Sequence, residues 1–139
     1  MPNRTVVRCV APAMERGSQK GRVVISQRNP RTNARTGEVT TFDARIRTVW
    51  RNVGAMTYGV KLFDDNIDFG AGGSCADLSS EWQDLGEFEV GEEDGTILRL
   101  RPADFPSDLD LDVSESAGLI VALTNEDNDG EVLACCVLE

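Results

Sequence analysis

Between Val39 and Trp50 apolar and polar positions alternate with a period of two. Phe42, Ala44, Ile46, Thr48 and Trp50 hold one parity, while Asp43, Arg45, Arg47 and Arg51 hold the other. Such alternation predicts a half-buried strand with a row of arginines on its wet face, and it makes Trp50 a core anchor. Asn52-Val53-Gly54-Ala55 supplies turn chemistry. A second alternating run follows, with Met56, Tyr58, Val60 and Leu62 on one face. The two runs together predict a β-hairpin at the centre of the fold.

The same criterion predicts strands over Thr5–Ala11, Gly21–Gln27, Thr96–Arg101, Gly118–Thr124 and Glu131–Leu138, and weaker ones near Glu87–Val90 and Leu109–Val113. Asn125 to Gly130 joins two of them as a hairpin loop, because its Asp-Gly pair favours positive φ. About seven to nine short strands without an amphipathic helix predict an all-β chain, a single β-sandwich of Ig-like or jelly-roll type. Two connections are longer than ordinary loops. Arg28 to Glu38 is basic, with Arg28, Arg31 and Arg35. Asp64 to Gly86 is glycine-rich and includes Asp77–Trp82, a candidate helical turn. Trp82 reads there either as a plug over one end of the sandwich or as an anchor facing a partner.

At 139 residues the chain has the size of one domain, spanning 1–139. Charge divides it. Residues 1–51 hold 11 basic and 3 acidic side chains, a net of +8; residues 52–139 hold 3 and 21, a net of −18, which together give −10. A basic N-terminal half and an acidic remainder suit a surface that meets a complementary one, on a partner or on another copy. The acidic balance argues against nucleic acid as a partner. No apolar run is long enough to cross a bilayer, so no membrane is expected. Met1–Arg8 is not followed by an apolar signal-peptide core, which predicts a chain made and kept in the cytoplasm, or leaving it by a route other than secretion.

Compartment governs the cysteines. Cys9, Cys75, Cys135 and Cys136 are expected as reduced thiols, Cys9 and Cys136 facing the core and Cys75 reactive in a flexible loop. Cys135 and Cys136 should point to opposite faces of one strand and so not bond to each other. With no histidine and no Cys-x-x-Cys pair, zinc is not expected. The usual general base is missing too, and no phosphate loop, nucleophile elbow or dinucleotide fingerprint occurs. No enzymatic activity and no cofactor are therefore expected.

Two acidic stretches remain. Asn125, Asp127 and Asp129 alternate as in a calcium loop, but Cys136 stands where the bidentate glutamate belongs, so the stretch reads as a solvated hairpin tip. Asp108, Asp110 and Asp112 alternate with Leu109, Leu111 and Val113. They read as a charged strand edge, or as the electrostatic counterpart of the Arg45, Arg47, Arg51 row. The candidate interaction surface is thus Arg28, Arg31, Arg35, Arg45, Arg47, Arg51, Trp82, Asp108, Asp110 and Asp112.

The run Ala44–Gly54 followed by Tyr58–Asp65 resembles the central hairpin of Ig-like β-sandwich modules of bacterial and archaeal surface proteins. In size, class and charge the chain also resembles tailed-phage capsid decoration (cement) proteins. The second resemblance implies a virion structural protein assembled in the host cytoplasm. It would bind a major capsid protein, or another assembly partner, and its own copies as a homo-oligomer such as a trimer. The first implies an extracellular binding, adhesion or inhibitor module. An enzyme subunit is the third class.

Overall fold

Four strands set mainly apolar side chains on one face and arginines interleaved with aliphatic residues on the other: β1 (Arg4–Ala11), β2 (Lys20–Arg28), β5 (Arg45–Arg51) and β8 (Ile97–Leu100). They form one antiparallel sheet in the order β1-β2-β5-β8. A second antiparallel sheet, in the order β10-β9-β6-β7, contains β6 (Met56–Phe63), β7 (Glu81–Val90), β9 (Ile120–Asn125) and β10 (Glu131–Val137). The computed structural model describes residues 4–11, 20–51, 53–68, 71–106 and 111–139. Over these the chain is an all-β sandwich. Its shared core holds Val23, Ile25, Ile46 and Trp50 from the first sheet and Tyr58, Val60, Leu62 and Leu123 from the second. A two-residue ribbon, β3 (Arg31–Thr32) with β4 (Val39–Thr40), forms an arm between β2 and β5.

The predicted central hairpin is not one. β5 pairs with β2 and β8, whereas β6 pairs with β7 and β9, so the chain changes sheets between them. Trp50 and Tyr58 face the same core from opposite sides, and each is fully buried. Tyr58 fixes the crossing: its hydroxyl accepts from the Gly54 N–H at 2.8 Å and donates to the Gly54 carbonyl at 2.9 Å. Burial raises the phenol's pKa, against the opposing pull of that backbone bond. Gly21 lies under the Trp50 ring, where a Cβ would overlap the indole.

The hairpin between β9 and β10 turns as its residues predict, with Asp129 at φ 52° and Gly130 at φ 76°. The described part of the predicted strand Leu109–Val113, residues 111–113, is not a strand. Leu109 and Asp110 fall outside the described residues, and Val113–Glu115 is a single 3-10 turn. Asp77–Trp82 divides between the end of another 3-10 turn, Cys75–Asp77, and the start of β7.

The expectation of four free thiols is overturned. Cys9 is bonded to Cys136 and Cys75 to Cys135, with Cα separations of 5.7 and 5.9 Å. Adjacent cysteines on β10 point to opposite faces, and each finds a partner on its own side. Cys136 ties β10 to β1 within the core. Cys135 faces outward, where the described parts of the 64–80 segment, residues 64–68 and 71–80, fold back over the sheet. Cys75 is 4% exposed there, not a flexible thiol, because Phe63, Ile120, Ala122, Ile67 and Leu78 close a second small core around it. The base of the segment is sewn by Asp65, which accepts from Ser79 and Ser80 backbone N–H groups at 3.1 and 3.0 Å. Asp64 adds a bond to the Ser80 hydroxyl.

Candidate functional site

The strands of the first sheet carry eight arginines, one lysine and no carboxylate. Inward positions are apolar apart from a few such as Thr48, so strand parity sends the arginines to the outer face, where all eight are exposed. Cross-strand register arranges them against aliphatic neighbours. Val24 lies between Arg8 and Arg47, and Arg22 lies between Val10 and Val49, beyond which comes Arg99. Ser26 lies between Val6 and Arg45, and Arg51 sits opposite Ile97. Like charges directly opposite one another repel, and this interleaving mostly avoids that. The like-charged pairs in register are Arg4 with Arg28 and Lys20 with Arg51.

The second sheet carries the opposite sign. Glu81, Asp84, Glu87 and Glu89 of β7 are all exposed. Among the described residues the ion pairs involve Lys61 alone, which meets Glu126 at 3.2 Å and Glu81 at 3.3 Å. Burial pulls the Lys61 pKa down, but the bonds to Glu126 and Glu81 outweigh it and the net shift is upward. Glu126 is held below the usual carboxylate range, first by the Thr124 hydroxyl, which donates at 2.6 Å, with burial opposing and Lys61 reinforcing. No ion pair engages the arginine face within the described part of the chain.

Of the residues expected to form the interaction surface, Arg28, Arg45, Arg47 and Arg51 share this face, while exposed Arg31 and Arg35 sit on the arm. Trp82 is 45% exposed at the start of β7, where it lines a shallow concavity with Asp112, Glu115 and Leu119. It is therefore not a plug closing the core. Asp108 and Asp110 lie outside the described residues. Asp112 accepts from the Ser114 backbone and hydroxyl at 3.0 and 2.6 Å, so it caps a turn, and among the described residues it pairs with no arginine. Arg4, Arg8, Arg22 and Arg99 belong to the face and escaped the sequence reading. Their alternation with Val6, Val10, Val24 and Ile97 was the available signal.

The Asn125–Gly130 tip is occupied by its own bonds. The Asn125 side chain accepts from the Asp127 N–H at 3.0 Å, and Asp127 accepts from the Thr57 N–H at 2.9 Å. Among the described residues no group of three or more His, Cys, Asp or Glu is placed to hold a metal ion. Fold and surface together define a disulfide-stapled β-sandwich with one cationic and one anionic sheet. Comparison with protein-family models, curated proteins and solved structures finds no match to this chain.

Proposed function

We propose that the chain is a non-catalytic assembly module, a virion decoration protein foremost, that docks its arginine face on an acidic protein lattice and on its own copies. The observation that carries this reading is the sheet whose strands hold eight arginines and no carboxylate. Guanidinium forks match carboxylates geometrically, and valine and isoleucine between them supply contact area that can be desolvated. The exposed carboxylates of β7 offer a surface of complementary sign on each copy. The outward positions of these strands carry no aromatic residue on which nucleobases could stack, Trp50 being turned into the core, which favours protein over nucleic acid. The two disulfides fit a place of work outside a reducing cytoplasm, a virion or cell surface among them. They also favour the second reading, an extracellular binding module that uses the same face.

Density-gradient banding of particles from the source culture, probed with an antibody to this chain, separates the two. The chain should co-band with particles and be released as salt rises, since exposed charge attraction is screened over about 8 Å at physiological ionic strength. Recovery only as free protein in the cell-free supernatant would overturn the virion reading and leave the extracellular one.

A further inference from the structure

We propose that the concavity of about 440 Å³ at the arm end of the arginine face is a binding site for a tetrahedral oxyanion, phosphate or sulfate, free or as a monoester. Arg4, Arg28 and Arg45 line it together with Ser26, Phe42 and Asp43.

Register brings these arginines together. Arg4 lies directly opposite Arg28 across the β1–β2 pair. Arg45 lies opposite Ser26, which places it diagonal to Arg28 on the other side. Cβ separations in such positions are about 5 Å directly and about 7–8 Å diagonally, within reach of one shared anion for three long side chains. Elsewhere the described part of this face sets arginines mostly against valine, isoleucine or serine; here two stand opposed with a third beside them. An arrangement that repels itself when empty is stabilised by an anion bridging its forks. The charge balance fits: three guanidiniums and one carboxylate, Asp43, leave a net of 3 − 1 = +2. Asp43 forms no ion pair within the described residues, so the guanidiniums are not already taken up by it.

The cup is also held in shape. The Arg28 guanidinium lies 5.7 Å from the centroid of the Phe42 ring, which orients it. Gln27 fastens the floor: its side-chain N–H₂ donates to the Phe42 carbonyl at 2.8 Å, and its Oε1 accepts from the Val113 N–H at 3.0 Å. Recognition by preset groups loses less entropy on binding. The site stands whether or not the face docks on protein, because three residues at one end form it.

Calorimetric titration with inorganic phosphate, sulfate and phenyl phosphate, at ionic strength held constant with sodium chloride, tests the proposal. One saturable site per chain is expected. Arg28→Gln should weaken it roughly tenfold or more, through loss of a charge-assisted fork. Arg47→Gln removes the same charge from the same face outside the cup and should change affinity by less than about twofold. Arg45→Gln, on a different strand, reads out the same loss should Arg28→Gln fail to fold. Tighter binding of phenyl phosphate assigns the site to a monoester, and equal binding assigns it to the free ion. Absence of saturation, an equal loss in Arg47→Gln, or acetate binding as tightly as phosphate would overturn the proposal.

Discussion

Replacing Cys9 and Cys136 together with alanine is expected to remove about 2–5 kcal/mol of stability, a large share of what a domain of this size possesses. The bond spans 127 residues of sequence, so it closes almost the whole chain into a loop and strongly restricts the unfolded ensemble. Both sulfurs lie in the main core, on β1 and β10, which sit in different sheets. Backbone bonds between Arg8 and Glu139, at 3.0 and 3.2 Å, reinforce the same corner. Alanine is the right replacement because serine would bury hydroxyls without partners. Urea denaturation of the oxidised wild type and the double variant measures the loss, and equal midpoints would show that the bond does not constrain the chain. The Cys75→Ala, Cys135→Ala variant serves as the comparison. Its bond spans 60 residues and pins the 64–80 segment over the outer face of the second sheet, so it should open that segment while leaving the sandwich folded. Alkylation without reductant followed by mass measurement should find no free thiol in the isolated protein.

Trp50→Ala is expected to cost about 3–5 kcal/mol, enough to unfold the chain or lower its melting temperature by well over 10 °C. The indole is fully buried at the centre of the core, with Gly21 pressed against its face. One detail tempers substitution by another aromatic. The Trp50 Nε1 is buried with no hydrogen-bond partner among the described residues, so Trp50→Phe relieves an unsatisfied donor while retaining most of the packing. It should therefore cost distinctly less than alanine. Trp82→Ala should change stability by under about 1 kcal/mol, because that ring is nearly half exposed. Thermal melts of the three variants check the order; a larger loss for Trp82→Ala would contradict the assigned register.

What could be read from the sequence follows from where period two survives. Both faces of β5 were legible because one is core and the other is water. β9 gave only an apolar run, since Ile120 and Ala122 face outward yet are covered by the 64–80 segment. β7 was half lost. Pairing with β6 shifts register around Leu85, and the parity of buried residues changes from Leu85 to Val90 across Gly86, at φ 128°. An alternation count cannot pass through such a bulge. The 52–55 turn carried no information on whether the next strand would pair or cross, because that depends on partners far along the chain. Cysteine pairing was hidden for the same reason: β1 and the 64–80 segment lie on opposite sides of β10 only in three dimensions. The arginine face was half legible. Charge segregation along the chain signalled it, but strand order was needed to bring Arg4, Arg8, Arg22 and Arg99 beside the β5 row.

Arginine-selective labelling with phenylglyoxal, read by mass spectrometry, tests most directly whether that face makes the contact. The free chain and the complex isolated from its source are labelled side by side, with carbodiimide labelling of carboxylates as the second channel. Arg8, Arg22, Arg45, Arg47 and Arg99 should lose reactivity together in the complex, as residues of one exposed sheet face must if a partner covers it. Unchanged labelling of these arginines in the complex, with protection confined to Glu87 and Glu89 of the opposite sheet, would contradict the account.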